Sequence, residues 1–440
     1  MISIMALSTQ PYKGARDFYP EDKRIQKYVF NVMRQVAEKF GYEEYDAPLL
    51  EPLELFAAKT GEEIVNEQTY TFTDRGGRKV AIRPEMTPSV SRMVAARRQE
   101  LAYPLRWYSI PSNWRYERPQ RGRSREFWQL NIDLFGIEGI EAEQEVITLA
   151  DAVMQAYGAK RSQYTIKLNS RKLINACLEE YLKLSDLQTR EMIKLIDRMP
   201  KMAEGEFKPQ AEAILKPSQI KDGSLKKLLE LVKADDIKDL PEEIYKHSSV
   251  TELKKLINLL EANGIKNVEY DFSVMRGLDY YTDIVFEVVD NDPENNRAMF
   301  GGGRYDGLVG MFGVEPLPTV GFGMGDVTLQ NFLESHQLMP KLQTETDVYS
   351  VIVGDVFEES QKVIGELRDN GLNVAVDMSG RKPAAQIKSA VKKGIAYCVF
   401  IGKDDLRKQR FNLKDLDTGD EKSLSLTKII DLIAKYRDSK

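Results

Sequence analysis

Five arginines, Arg115, Arg118, Arg121, Arg123 and Arg125, fall within eleven residues of the chain. Guanidinium groups this crowded repel one another and cannot shed their charge. They suit a polyanion, whose phosphate or carboxylate oxygens match the arginine fork. Trp114, Tyr116 and Phe127 add flat faces nearby on which an adenine could stack. The competing reading is a surface loop neutralised by Glu117 and Glu126. A second constellation, Arg276-Gly277-Leu278-Asp279-Tyr280-Tyr281, leads into the strand-like run TDIVFEVV and could line a pocket at a strand edge. Aromatic pairs in strands also serve packing alone. The glycine turns at 301–307 and 321–325 lack the Lys-Ser/Thr ending of a P-loop and the spacing of a dinucleotide fingerprint. A close backbone approach in a β-rich site explains them as well.

Histidine and cysteine offer little. His247, His336, Cys177 and Cys398 are too few for a zinc site built on several histidines, or for a disulfide framework. A Ser-His-Asp triad would have to use one of the two histidines, and their polar settings put both on the solvated surface. Arginines, carboxylates and tyrosines must therefore carry any chemistry.

The elements that position these residues follow from periodicity and punctuation. Apolar residues Ile25, Val29, Met33 and Val36 predict a helix over 20–40, ended by Gly41. TYTFTD and RKVAIRP, split by Arg75-Gly76-Gly77, predict a hairpin. Pro84 is expected to open a helix with Glu85 in its first turn. LRWYSIPSNWRYE and REFWQLNIDLFG read as two strands joined by the arginine-rich loop, and a helix follows over 142–157. From about 170 to 264 the chain turns Lys/Glu/Leu-rich and helical in period, as in LKKLLELVKADDIKDL, which predicts a helical insertion. After Pro340, strands DVYSVIV, NVAVDM and AYCVFIG alternate with helices EESQKVIGELRDNG and PAAQIKSAVKKG. This is the pattern of a small, separately packed α/β domain.

The totals set broad limits. At 440 residues the chain exceeds the roughly 250–300 of a single core. Its charges nearly cancel, with Lys+Arg 63 against Asp+Glu 68, but the balance hides an asymmetry. Residues 381–414 hold ten Lys/Arg against two Asp, a local excess of +8 that fits either a solvated helix face or a phosphate-backbone footprint. No apolar run approaches the roughly 18 residues of a membrane helix. The start MISIMALSTQ lacks a signal peptide's basic region, so a cytoplasmic location is expected.

RPEMT at 83–87, the WRYERPQ…REFWQ hairpin, RGLDYY, GGGRYDGL and the basic C-terminal α/β domain together resemble the histidyl-tRNA synthetases. These are class II aminoacyl-tRNA synthetases, and the resemblance runs over nearly the whole chain. KGARDFYP and APLLEPLELF look like that family's start and its first class motif, which carries a dimer interface. The arginine hairpin looks like the second motif, while RGLDYY and GGGRYDGL are similar to the two signatures of the histidine branch.

The resemblance implies an α+β fold. An antiparallel-sheet catalytic domain (1–165 and 265–338) would be interrupted by the helical insertion (166–264) and followed by an anticodon-binding domain (345–440). It implies ATP and L-histidine as substrates, Mg2+ on the β and γ phosphates, tRNA(His) and a second copy of the chain as partners, and no metal ligated by the protein alone. Histidine would attack the α-phosphate, and the adenylate would pass its acyl group to the terminal ribose. By resemblance Arg115 and Arg276 hold the α-phosphate from opposite sides, and Glu117 lies close to the adenine or its metal. Arg121, Arg123 and Phe127 complete the ATP site. Glu85 and Thr87 take the amino group. Asp133 and Tyr281 read the imidazole, with Gln129, Tyr280 and Tyr305 beside them.

Two positions depart from the family pattern. Trp128 stands where many relatives have histidine. The third class motif ends Gly325-Asp326-Val327-Thr328-Leu329, so Thr328 replaces the arginine that clamps the γ-phosphate. Arg121 or Arg123 takes over that phosphate, or ATP binds differently, or activity is lost. Two non-catalytic readings stay open beside the enzyme: a synthetase-like regulatory subunit of ATP phosphoribosyltransferase, and a protein that binds tRNA-like RNA.

Overall fold

The computed structural model describes residues 7–57, 67–203, 205–275, 280–295 and 298–438. Helical spacing of Val29, Met33 and Val36 builds the helix Pro20–Lys39, which buries all three. Gly41, at φ 79°, lies just past its end. The chain divides into two compact units. One runs up to Asp17 and resumes over Lys27–Met339, and the other takes Phe18–Gln26 with Pro340 onward.

The first unit is built on a sheet of nine strands among the described residues. In order they are Glu43–Glu44, Leu105–Ser109, Glu126–Phe135, Thr319–Gly325, Ala298–Arg304, Ile284–Asp290, Tyr164–Ser170 and Val268–Tyr270. Ser112–Trp114 pairs alongside Glu126–Phe135. Only the two outermost pairings are parallel. In the central ladder Asp133 lies opposite Gly321, and Gln129 opposite Gly325. Period-two alternation buries Leu130, Ile132 and Leu134 on one face and turns Gln129 and Asp133 to the other. Helices Glu141–Ala156 and Asp326–Ser335 pack on these central strands.

The predicted hairpin forms from Thr71–Thr73 and Lys79–Ile82. Asp74 accepts the amide protons of Gly76 and Arg78, each at 2.9 Å, and Gly77 turns at φ 80°. One expectation needs correction. The helix expected at Pro84 begins at Thr87 and runs to Ala96, opened by Pro88, so Glu85 precedes it in non-helical backbone. The run LKKLLELVKADDIKDL is not one helix. Ser224–Val232 stops, and Asp236 caps a separate turn by accepting the Lys238 amide at 2.9 Å. Between Arg171 and Ala262 the regular elements among the described residues are all helices or helical turns. No helix among the described residues is long and apolar enough to cross a membrane.

The second unit carries a five-stranded sheet, ordered Val374–Val376, Val348–Val353, Tyr397–Gly402, Phe411–Asp415 and Glu421–Leu424. The first three strands are parallel, joined by helices Phe357–Asp369 and Pro383–Lys392. The last two strands add an antiparallel hairpin beyond the predicted alternation. Its turn is an aspartate device: Asp415 accepts the Asp417 and Thr418 amides at 2.9 and 3.0 Å.

Candidate active site

Asp133 is the centre of a buried polar cluster. Its strand directs the carboxyl into the first unit, and burial raises its pKa from the ordinary 3.8 to about 6, against hydrogen bonds that lower it. Those bonds come from two phenols. Tyr305 donates to Oδ1, and Tyr45 donates to Oδ2 at 3.2 Å. Both phenol pKa values lie well above the usual, by burial first and then by the Asp133 charge, so both tyrosines are protonated donors. Tyr305 packs against Tyr280 and Tyr281 with ring centroids 5.5 and 6.3 Å away. Tyr280 in turn donates to Glu85 at 3.2 Å, and both are buried. Five of the expected histidine-site residues, Asp133, Tyr305, Tyr280, Tyr281 and Glu85, are thus linked through one chain of contacts.

Glycine makes room for this cluster. A Cβ on Gly321 would overlap the Ile132 carbonyl and stand 2.8 Å from the Tyr305 hydroxyl. One on Gly323 would stand 2.7 Å from Cδ of Gln129. Gln129 accepts from Asn113 at 3.5 Å. Arg83 braces the backbone before Glu85, donating to Ser112 O at 3.0 Å and Ala47 O at 2.6 Å. Thr87 is half-buried at the first position of its helix, its carbonyl accepting from the Ser91 hydroxyl at 2.9 Å.

The GGGRYDG loop is held by a bidentate ion pair. Arg304 meets both Glu143 oxygens, at 2.6 and 2.7 Å, and both side chains are almost fully buried. It also donates to the Ile137 and Gly139 carbonyls, each at 3.1 Å. Its own carbonyl accepts the Thr282 amide at 2.8 Å, which ties the Tyr280–Tyr281 segment to the loop of Tyr305.

On the arginine hairpin, Arg115 donates to Pro84 O at 3.0 Å and sits 5.3 Å from the Phe127 ring centroid. It is thereby next to the Glu85 segment. Arg125 is structural: it covers the Tyr116 ring at 3.9 Å, donates to Glu117 O and meets the Tyr12 hydroxyl, each at 3.0 Å. Arg123 approaches Glu117 at 3.7 Å. Arg121 donates to Ser335, the last residue of the helix Asp326–Ser335. Ser335 lies seven positions along the helix from Thr328, about 10 Å. The Thr328 hydroxyl itself bonds the Met299 carbonyl at 2.8 Å. Arg276 lies outside the described residues.

Sequence reasoning missed Tyr45, Glu143 and the Arg16–Asp326 pair (2.7 Å). Asp326 also accepts the Trp128 amide at 2.9 Å, fixing the start of its helix to the central strand. A solvated role for His336 is wrong. Its ring meets buried Asp290 at 2.8 Å and Gln163 at 3.0 Å because it closes the C-terminus of a helix packed on the sheet. His247 caps the helix Ser248–Ala262, with Nδ1 2.7 Å from the Ser249 hydroxyl.

A family profile described as histidyl-tRNA synthetase matches residues 14–327, and one described as an anticodon binding domain matches 347–436. The chain belongs to the histidyl-tRNA synthetase family. A histidine–tRNA ligase of Leptospira biflexa is 40% identical over 432 residues, covering 97% of this chain and 98% of the relative. One from Thermoplasma volcanium is 37% identical, covering 96% and 98%. The crystal structure of histidyl-tRNA synthetase from Nostoc sp. PCC 7120 superposes with a TM-score of 0.80 at 25% identity, over 98% of this chain and all of that one. The chain is therefore a ligase of translation with the class II α+β fold, and these curated relatives carry the name of the ligase, not of the regulatory subunit.

Proposed function

We propose that the Asp133 cluster binds the imidazole and amino group of L-histidine, with Arg115 at the α-phosphate of ATP. The observation that carries this reading is the continuous path from Asp133 through Tyr305 and Tyr280 to Glu85, ending beside Arg115. It offers an acceptor for an imidazole N–H, a carboxylate for an ammonium and a fixed cation for phosphate.

Each role follows from charge. The carboxylate of histidine attacks the α-phosphorus, pyrophosphate leaves, and negative charge accumulates on the phosphoryl oxygens during the step. Arg115 and Arg276 stabilise that charge, which in a water-poor site is worth far more than in bulk water. No side chain needs to take a proton from the attacking group, because a carboxylate is already a nucleophile. In the second step the adenylate passes its acyl group to a ribose hydroxyl of tRNA(His), and AMP leaves.

Among the described residues no group of three or more His, Cys, Asp or Glu side chains gathers to hold a metal ion. Glu117, a carboxylate on the arginine hairpin, would hold magnesium brought in on the phosphates. When bound, it would supply positive charge against the phosphates. Glu85 with Thr87 orients the ammonium, while Gln129 and Tyr281 close the pocket around the ring. Phe127 offers its face to the adenine, with Arg121 and Arg123 as further cations of the same loop. We assign the protein to the cytoplasm and to a homodimer. Leu50 and Phe72, 48% and 47% exposed on the sheet formed by Leu50–Pro52, Lys79–Ile82 and Thr71–Thr73, and Leu49 just before it, 44% exposed, favour the dimer.

Histidine-dependent pyrophosphate exchange tests the assignment. Arg115→Ala should lower its rate about 100-fold or more while equilibrium binding of histidine persists. Exchange that survives the substitution undiminished sinks the role given to Arg115. Sedimentation equilibrium reads the dimer directly.

A further inference from the structure

Asp133 has a short stem and two oxygens, and each oxygen takes a phenol from a different part of the fold. Tyr305 follows the strand Ala298–Arg304. Tyr45 follows the edge strand Glu43–Glu44, which pairs in parallel with Leu105–Ser109 through Glu43 opposite Trp107. Trp107 lies in turn opposite Asp133. The amide of Tyr45 donates to Tyr108 O at 2.8 Å, and its ring rests 5.6 Å from that of Trp107. Tyr45 is thus fixed at its backbone, its ring face and its hydroxyl.

We propose that Tyr45 is a positioning residue of histidine recognition, holding Asp133 in one carboxylate plane, as an anion, so that its remaining lone pairs face the substrate imidazole. The proposal rests on the reading of Asp133 as the imidazole acceptor. An ionised carboxyl has about four lone-pair sites, so two phenols leave capacity for one imidazole N–H. With Tyr305 alone the carboxyl can swing about its terminal torsion, which is soft. With a donor on each oxygen it cannot swing without breaking one bond. The second donor also favours the charged form, against the burial that raises the carboxyl to about 6. Other groups bear on the same cluster: Tyr42, whose phenol senses Asp133, Arg83, whose charge acts on Tyr45, and Tyr280, whose ring packs on Tyr305. Tyr281 packs against Tyr305.

The test is Tyr45→Phe in the full chain, assayed by histidine-dependent pyrophosphate exchange from pH 5.5 to 8.5. The KM for histidine should rise about tenfold at pH 7.5, since a hydrogen bond to a charged group is removed, while the KM for ATP stays within about twofold. The acid limb of kcat/KM for histidine should move to higher pH. Free histidine titrates in the same range, so the readout is the displacement between variant and parent. Coincident KM values and coincident acid limbs overturn the proposal. Tyr45→Leu, judged by the same readout, serves if the phenylalanine variant loses its cooperative thermal transition. Asp133→Asn separates the two layers of the argument. If it leaves the histidine KM unchanged, the reading of Asp133 itself fails; if it raises that KM and Tyr45→Phe does not, only the role of Tyr45 fails.

Discussion

Thr328 donates its hydroxyl to the carbonyl of Met299 at 2.8 Å, tying the first turn of the helix Asp326–Ser335 to the strand Ala298–Arg304. Where the family pattern has a phosphate-binding arginine, this chain has a bond between two elements of its own fold. Thr328→Ala should therefore cost about 1 kcal/mol of stability, read as a lower Tm. The KM for ATP should stay within about twofold. A tenfold rise in that KM with an unchanged Tm would give Thr328 a direct place at the nucleotide.

Asp133 should make histidine recognition pH-dependent. Its folded pKa of about 6 lies above the ordinary 3.8, so the folded state holds a proton that the unfolded chain releases between those values. Stability therefore falls as pH rises through that window, and recognition by the anion is gained over the same rise. Asp133→Asn should raise the Tm at pH 8, where the parent buries a charge, and should weaken histidine binding there. Differential scanning calorimetry at pH 5 and pH 8 checks the first half, and calorimetric titration with histidine the second. A Tm for Asp133→Asn below the parent's at pH 8 would contradict the sign.

Arg304 and Glu143 form an ion pair that cannot be halved without leaving a charge in the interior. Arg304→Met should destabilise the protein by about 3–5 kcal/mol. Replacing both partners, with Glu143→Met added, should recover part of that loss. The comparison is made by urea unfolding of the single and double variants. Additive losses would show that the two side chains do not act as a unit.

The basic run in the second unit should govern RNA affinity without touching activation. Lys382, Lys388 and Lys392 are exposed. Changing Lys382 and Lys388 to alanine should raise the KM for tRNA. The slope of log affinity against log salt should become shallower by about one for each phosphate that no longer meets a lysine. Pyrophosphate exchange should be unaffected. Filter binding at several salt concentrations gives the slope, and a slope equal to the parent's removes these lysines from the interface.

Much of this fold and part of its site could be read from the chain, and the difference is physical. Gln129 and Asp133, four apart on a strand, must share a face, so their common direction was legible before any sheet was known. The glycines of 321–325 signalled close backbone approach, and the space around Gly321 bears that out. Tyr45 was not legible, because its bond to Asp133 spans 88 positions and depends on which edge strand lies beside Leu105–Ser109. Pro84 is a common helix opener, and on that ground alone Glu85 belongs in a helix. Pro88 serves instead, and Glu85 stays in a bent segment where its carboxylate meets Tyr280. The missing arginine of the third motif was visible as a letter, but the use made of Thr328 required the position of Met299.

His336 and His247 are both engaged, one with Asp290 and Gln163, the other with Ser249, and neither belongs to the Asp133 cluster. A protein that handles free histidine thus contributes just two imidazoles of its own to a spectrum. With 15N-labelled histidine bound to unlabelled protein, ring-nitrogen shifts would report the tautomer and proton count of the substrate directly.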